Sequence, residues 1–112
     1  MANNRITVRG IVGRIESHGE GDQEFHSLSV NVSDYIGKDK ETNENRYEST
    51  WFNVSVFGGL SKRLASASVN KGDRVEFEGK MTMRENEKDG RKYQNWGIVA
   101  NDFEVIQRKA GE

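Results

Sequence analysis

Four side chains near the middle of the chain combine stacking surface with hydrogen-bonding groups: Trp51, Asn53, Ser55 and Phe57. Residues two apart in an extended strand point to the same face, so all four are predicted to share one face. The opposite face is apolar, with Phe52, Val54 and Val56. Nucleobases stack on aromatic rings in proteins that bind single strands. The pattern indicates either such a platform or two aromatics that pack under a loop or in a subunit contact.

Composition limits the classes of protein to which the chain can belong. A chain of 112 residues is long enough for one domain with a core. The absence of cysteine excludes disulfides and thiolate metal sites, and no apolar run is long enough for a membrane span. The amino terminus has no apolar signal core, so we expect a cytoplasmic protein. With 17 basic and 18 acidic residues, a basic surface requires that the two signs segregate.

Five strands and one short helix are predicted from the alternation of apolar residues. The strands cover residues 5–15, 25–33, 50–58, 74–84 and 93–106, and the helix covers 60–69. In the fourth strand, Val75, Phe77, Met81 and Met83 are predicted to face the core. Residues 34–49 are predicted to form a hairpin arm, and residues 85–92 a charged hairpin tip centred on Asp89-Gly90.

This order of elements predicts an all-β fold. A helix between the third and fourth of five strands is typical of the OB-fold, a five-stranded Greek-key barrel. We expect residues 1–112 to form one such domain, with the barrel at 4–106 and a short polar tail at 107–112. The barrel commonly binds oligonucleotides or oligosaccharides across its second and third strands, where Trp51 and Phe57 are expected.

Enzymatic chemistry is not indicated. His18 and His26 lack the spacing of a metal-binding pair, and no glycine-rich phosphate loop is present. No nucleophile has an adjacent base. We therefore expect no catalytic residue, no metal and no cofactor. An OB-fold hydrolase or nuclease remains a rival interpretation, for which metal-dependent loss of an oligonucleotide would be the sign.

Several segments together resemble the bacterial and phage single-stranded DNA-binding protein family. They are Thr50-Trp51-Phe52-Asn53-Val54-Ser55-Val56-Phe57-Gly58, Leu64-Ala65, Lys71-Gly72-Asp73-Arg74-Val75-Glu76-Phe77-Glu78-Gly79-Lys80, and Ile11-Val12-Gly13-Arg14-Ile15. The resemblance implies an OB-fold that binds single strands without sequence preference. It also implies a homo-oligomer, with a tetramer preferred and a dimer as the alternative. The family's acidic, partner-recruiting tip has no counterpart in the polar tail.

The resemblance also implies which side chains contact DNA. Trp51 and Phe57 match two base-stacking aromatics of the family, and Tyr35 matches a third. A fourth aromatic falls near Asn86 and is absent, which implies either weaker binding or compensation by Tyr93 or Trp96.

Basic residues are the candidates for phosphate contacts. Arg84 matches a basic position beside the missing aromatic, whereas Asn53 stands where the family has a basic residue. The full set of basic candidates is Arg5, Lys38, Lys40, Arg46, Lys62, Lys71, Lys80, Arg84, Arg91 and Lys92.

The leading hypothesis is therefore a protein that binds and protects single-stranded DNA in replication, recombination or repair. We expect it in the bacterial cytosol or nucleoid, or in a phage-infected cell. The alternative is an OB-fold interaction subunit of a replication or recombination complex, of the primosome-accessory type. In that case the aromatic face would meet protein.

Overall fold

Five long strands and one helix make up the computed structural model, which describes residues 2–109. The strands are β1 (Ile6–His18), β2 (Phe25–Lys38), β3 (Asn45–Val56), β4 (Arg74–Lys88) and β5 (Arg91–Gln107). The helix α1 (Gly58–Ser66) lies between β3 and β4, and a short 3-10 turn (Gly21–Gln23) follows β1.

The strands close into a barrel in the order β1-β2-β3-β5-β4. The first half of β1 pairs with β4 from Ile6 to Ile11, and its second half pairs with β2 from Ile11 to His18. The register shifts between Val12 and Arg14, which leaves Gly13 in a bulge. Strands β3 and β5 close the barrel in parallel through two residue pairs, Val54 with Ile98 and Ser55 with Val99. The predicted OB-fold barrel is confirmed.

Alternate residues of the strands fill the interior, as the sequence pattern predicts. The fully buried side chains include Val12, Val30, Val54, Val56, Val75 and Phe77, and Leu64 of α1 packs on the same core. Burial of each such aliphatic or aromatic side chain stabilises the fold by about 1.5–3 kcal/mol. Phe52 is half-buried at the edge of this core.

Polar contacts fix α1 on the barrel. Ser61 is buried, and its Oγ lies 2.6 Å from Nδ1 of the buried His26 on β2. The guanidinium of Arg63 donates to the Asp102 carboxylate at 2.6 Å and to the Phe103 carbonyl at 3.0 Å, and it lies over the Phe103 ring. The hydrogen bond from Arg63, together with the backbone N–H of Phe103, lowers the pKa of Asp102 below its ordinary value of 3.8.

A buried carboxylate anchors the end of β5. Asp73, in the turn before β4, accepts hydrogen bonds from the backbone N–H groups of Asn70 and Lys109, both at 2.9 Å. Arg108 donates to the same carboxylate and to the Ala67 carbonyl at 2.5 Å. Burial of Asp73 opposes ionisation, but these hydrogen bonds and the Arg108 charge outweigh it and lower the pKa of Asp73.

The strands are longer than the sequence pattern predicts. The second and third strands continue to Lys38 and back from Asn45, so the predicted arm at 34–49 is a paired ribbon that projects from the barrel. The helix begins at Gly58, not at residue 60, and ends at Ser66. Of the polar tail predicted at 107–112, Gln107 belongs to β5, Arg108 and Lys109 contact Asp73, and residues 110–112 lie outside the described part.

The inward assignment of Met83 is wrong. Its side chain is 42% exposed, whereas Val75 and Phe77 are fully buried, as predicted. The β4–β5 hairpin continues beyond the barrel to a two-residue turn at Asp89-Gly90, between Lys88 and its partner Arg91. Both turn residues have positive φ, which glycine adopts readily, and such turns suit the twist of a hairpin. Past the barrel no interior remains to cover Met83.

Candidate nucleic-acid interface

The outer face of β1, β2 and β3 carries aromatic side chains at both ends and polar or charged side chains between them. Trp51 of β3 pairs with Asn31 of β2. Phe57 lies six residues further along the chain, directly after the end of β3. The two cross-strand rows between them are Asn53, Ser29 and Arg14, and then Ser55, Ser27 and Glu16. Since cross-strand partners share a face, all of these side chains border one surface.

The predicted register of the central strand is confirmed by burial. Trp51 is 59% exposed and Phe57 is 43% exposed, while Val54 and Val56 are buried. Phe57 has extended backbone angles and is the last residue before α1, so it keeps the alternation of β3 to its end.

Trp51 lies across the sheet and rests on β1. A Cβ atom placed on Gly13 would come within 2.4 Å of the Trp51 ring, so only a residue without a side chain allows this approach. Gly13 is also the bulge residue of β1. The bulge therefore supports the indole from beneath while more than half of the Trp51 side chain stays accessible.

Phe57 belongs to a column of three rings. Its ring centroid lies 5.1 Å from that of Phe25 on β2, with an interplanar angle of 29°. The Phe25 centroid lies 4.9 Å from that of His18 on β1, at 24°. The column crosses the end of β1, the start of β2 and the residue that follows β3, at one end of the polar rows.

The β2–β3 arm continues the same surface away from the barrel. Tyr35 pairs with Tyr47 across the ribbon, and their rings meet edge to face with centroids 5.8 Å apart. Lys38, Lys40 and Arg46 lie at the outer end of this arm, and all three are exposed. Within residues 2–109 none of these three cations forms an ion pair.

Two open grooves run on either side of β3. One of about 300 Å³ crosses β1, β2 and β3 and is lined by Arg14, Glu16 and Ser27 among others. The other, of about 170 Å³, lies between β3 and the β4–β5 hairpin and is lined by Thr82, Arg84 and Asn95 among others. Asn53 and Ser55 line both grooves. These two residues therefore form the ridge between them.

The β4–β5 hairpin separates the two aromatics predicted to compensate for the missing one. Arg84 pairs with Asn95 and Asn86 with Tyr93, so alternation puts Tyr93 on the same face of the hairpin as Arg84. Trp96 pairs with Met83, which places Trp96 on the opposite face. Tyr93 therefore shares the face of Arg84, whereas Trp96 is the one of the two that lines the groove beside β3.

The remaining basic candidates are dispersed over the molecule. Arg5 forms an ion pair with Glu78 of β4 at 2.6 Å, on the β1–β4 side of the barrel. Lys62 of α1 lies 3.5 Å from Asp22. Lys71 is in the turn before β4, Lys80 pairs with Val99, and Arg91 and Lys92 lie at the hairpin tip. Lys80 continues the row of Ser55, because its partner Val99 pairs with Ser55 of β3. The other five residues do not belong to the rows between Trp51 and Phe57.

Five residues of this surface were not predicted from the sequence to belong to it: Gly13, Arg14, His18, Phe25 and Tyr47. A signal existed for two of them. Phe25 begins the predicted second strand and has the parity of the outward Ser27 and Ser29. Tyr47 has the parity of Trp51, but it lies before the predicted start of the third strand. The contacts of Gly13 and His18 depend on β1 lying beside β2, which no local pattern specifies.

Catalytic arrangements have little support. Ser61, His26 and Glu24 follow one another, with Nε2 of His26 3.9 Å from the Glu24 carboxylate, but Ser61 is only 1% exposed and no substrate can reach it. In the part of the chain that the structure describes, no three His, Cys, Asp or Glu side chains form a group able to hold a metal ion. Nor does any helix of that part have the length and apolar character needed to cross a membrane.

Comparison with known proteins gives one family and a consistent set of folds. The Single-strand binding protein family matches residues 3–106. A Plasmodium falciparum SSB solved in complex with ssDNA superposes with a TM-score of 0.75 at 21% identity, covering 96% of each chain. A small single-stranded DNA-binding protein from Streptomyces coelicolor gives 0.71 at 19% identity, over 94% of this chain and 95% of the other. A mitochondrial single-stranded DNA-binding protein from S. cerevisiae gives 0.70 at 18%, over 96% and 99%.

Proposed function

The chain belongs to the single-strand binding protein family, and we propose that it binds single-stranded DNA across the outer face of β1, β2 and β3. The observation that carries this proposal is the position of Trp51, which rests on Gly13 and is nevertheless 59% exposed. A flat aromatic ring held from beneath and open above is a surface on which a base stacks.

Stacking on Trp51 and Phe57 supplies affinity without reading sequence, because every base has a π-face. Tyr35 and Tyr47 extend the aromatic surface along the β2–β3 arm. Lys38, Lys40 and Arg46 lie on the same arm, Arg84 borders the groove beside β3, and Arg14 lies in the row between Trp51 and Phe57. These basic residues supply phosphate contacts. Each such contact releases counterions, so binding is expected to weaken as salt is raised.

Protection of exposed single strands during replication, recombination or repair fits the family. We infer a single OB-fold domain at residues 4–106, acting in the cytosol or nucleoid of a bacterium or in a phage-infected cell. The chain is proposed to act by binding alone, without catalysis.

We infer further that the protein is a homo-oligomer, with a tetramer preferred over a dimer. The support is the exposed apolar pair Met83 and Trp96, on the face of the β4–β5 hairpin opposite Arg84 and Tyr93. Apolar patches of this kind mark protein contacts. Light scattering at micromolar concentration should give a multiple of the monomer mass, and a monomeric mass would overturn this inference.

A titration tests the proposed function directly. Tryptophan fluorescence should be quenched by oligo-dT, and log affinity should fall linearly with log salt by about 0.7 per phosphate contact. Arg84→Gln should weaken binding and reduce this slope. Arg5→Gln is the matched control, because Arg5 is paired with Glu78 on the β1–β4 side and its loss should leave the slope unchanged.

The alternative, an OB-fold interaction subunit, makes the opposite prediction for the same experiment. If the protein is folded but its fluorescence does not respond to oligo-dT at low salt, the aromatic face would instead be assigned to contact with a protein partner.

A further inference from the structure

We propose that His18 is an additional base-stacking residue, which receives a nucleobase on the outer face of its imidazole. The inference rests on the proposed function and extends its surface from β3 across β2 to the end of β1. The ligand is the same in kind, a base of a single strand. The proposal adds one residue to the surface, and it gives the bound DNA a path from β3 across β2 to β1.

The geometry of the three-ring column is the first observation. His18, Phe25 and Phe57 are spaced 4.9 and 5.1 Å apart, and successive planes are inclined by 24° and 29°. Phe25 is the middle ring, so both of its faces are covered. Only the two ends of the column offer a free face, one on Phe57 and one on His18. A base placed on either end continues the stack.

The His18 end is open because of the strand pairing. From Arg14 to His18, β1 pairs with β2 only, since its ladder with β4 covers Ile6 to Ile11. Within the described residues no strand lies on the other side of His18. The His18 side chain is 40% exposed, although it belongs to a stack.

A hydrogen bond fixes the orientation of the imidazole. His18 Nε2 lies 2.9 Å from Ser27 Oγ on β2, and the Glu16 carboxylate lies 3.6 Å from the same nitrogen. The ring is therefore held upright beside Phe25 before any ligand arrives. A stacking surface that is fixed in advance loses little conformational entropy when the ligand binds.

The three-ring column also lies on the path of a DNA strand that is stacked on Trp51 and continues across the sheet. The groove of about 300 Å³ between the two is floored by Ser27 and Ser29 and bordered by Arg14 and Glu16 of β1. From Gly13, beneath Trp51, to His18 is about 17 Å along β1 at the usual rise of an extended strand. A strand that stacks on Trp51 and crosses this groove meets the column at its end.

The competing explanation is that the column only stabilises the sheet, as cross-strand aromatic pairs do. Three substitutions separate ring stacking from this role and from hydrogen bonding. His18→Ala removes the ring, His18→Gln removes the ring but keeps a hydrogen-bonding group for Ser27, and His18→Phe keeps a ring without that hydrogen bond.

Binding of a fluorescein-labelled oligo-dT is measured by anisotropy, so that the readout does not depend on tryptophan. His18→Ala and His18→Gln should each bind about 5-fold to 20-fold more weakly, the equivalent of one modest base–aromatic stack. His18→Phe should bind like the original protein. The proposal would be overturned if all three variants bound oligo-dT with the same affinity as one another. It would also be overturned if His18→Phe bound weakly while His18→Gln bound like the original protein.

Two further measurements keep the result interpretable. Trp51→Ala, measured in parallel, separates the two inferences: if it weakens binding and His18→Ala does not, only the His18 proposal fails. If the original protein does not bind oligo-dT, the proposed function fails and the His18 proposal fails with it. Thermal melting of each variant completes the test, because a fall in melting temperature with unchanged affinity identifies the column as purely structural and overturns the proposal.

Discussion

At the scale of single residues, the candidate surface depends on which side chains of β3 point outward. Trp51 and Phe57 lie outside the barrel and Val54 inside it, with Phe52 half-buried at its edge. The two aromatics can therefore be removed without opening a cavity in the core. Their contribution to binding should be separable from their contribution to stability.

Trp51→Ala and Phe57→Ala are each expected to weaken binding of oligo-dT by about 1–3 kcal/mol, the usual contribution of one base–aromatic stack. Phe52→Ala is the control of opposite parity. Because Phe52 is half-buried, it should cost about 2–3 kcal/mol of stability, at or below the lower end for a fully buried phenylalanine. Affinity and thermal melting are measured for all three. Unfolding by Trp51→Ala, with normal melting of Phe52→Ala, would show the faces to be inverted.

Gly13→Ala tests the support beneath the indole. The new Cβ would lie within 2.4 Å of the Trp51 ring, so the ring must move off β1. Affinity for oligo-dT should fall about 5-fold, or about 1 kcal/mol, and the tryptophan emission should shift. Gly59→Ala is the matched control, since its added Cβ would have no atom within 4 Å apart from its chain neighbours and the backbone of α1. It should bind normally, and a loss of affinity there would mean that the effect at Gly13 is not specific.

At the scale of secondary-structure elements, the two hairpins that project from the barrel decide how large the surface is. The β2–β3 arm carries Tyr35 and Tyr47 together with basic residues, and the β4–β5 hairpin carries Arg84 and Tyr93 on one face and Met83 and Trp96 on the other. Neither ribbon has a core of its own. Each is held by backbone pairing and by the barrel strands from which it continues.

Replacing residues 36–46 by Asn-Gly should remove the outer arm without unfolding the barrel. The two-residue turn would join Tyr35 directly to its partner Tyr47. Lys38, Lys40 and Arg46 would be lost, so the slope of log affinity against log salt should become shallower by about 0.7 for each lost phosphate contact. The measurement is the same titration at several salt concentrations. An unchanged slope would show that the arm does not contact DNA.

Alternation predicted the barrel well because burial follows parity wherever a strand lies over the core. Val54, Val75 and Phe77 are buried as their positions require. The same rule failed at Met83, because parity says which face a residue takes but not whether anything covers that face. The lengths of β2 and β3 were also underestimated, since their outer halves are polar and exposed and carry no burial signal.

Residue patterns alone predicted the candidate site only within β3, whereas Tyr35 of β2 and Arg84 of β4 were predicted from the family resemblance. Trp51, Asn53, Ser55 and Phe57 were found because they are neighbours in sequence. The contact of Trp51 with Gly13 and the stacking of His18 on Phe25 join residues of different strands. They therefore depend on the register in which β1, β2 and β3 pair. The basic candidates could not be sorted by sequence, because an ion pair such as Arg5 with Glu78 spans distant segments.

At the scale of the whole molecule, buried and paired carboxylates make stability depend on pH. The pKa values of Asp73 and Asp102 are both lowered by the hydrogen bonds that they accept. Carboxylates of this kind contribute stability when the pH is above their unfolded value, and the contribution is lost as pH falls through the lower folded value. The protein should therefore lose stability on acidification below about pH 4.

Asp73→Asn is expected to lower stability at pH 7 by about 1–3 kcal/mol, because buried N–H groups lose their charged acceptor. The difference from the original protein should shrink as the pH is lowered below about 4, where Asp73 itself becomes protonated. Melting temperatures at several pH values measure this, with Asp22→Asn as an exposed control that should change little. A difference that stays constant with pH would show that the charge of Asp73 does not stabilise the fold.

The short pairing that closes the barrel between β3 and β5 has a consequence for local opening of the fold. Only Val54 with Ile98 and Ser55 with Val99 pair there, so the seam should open more easily than the long β4–β5 ladder. In native-state hydrogen exchange, amides at 54–55 and 98–99 should be less protected than those beside Phe77 and Phe103. The groove lined by Asn53 on one side and Arg84 on the other spans this seam. A DNA strand bound there would contact both sides, and it should slow exchange at the seam more than anywhere else in the barrel.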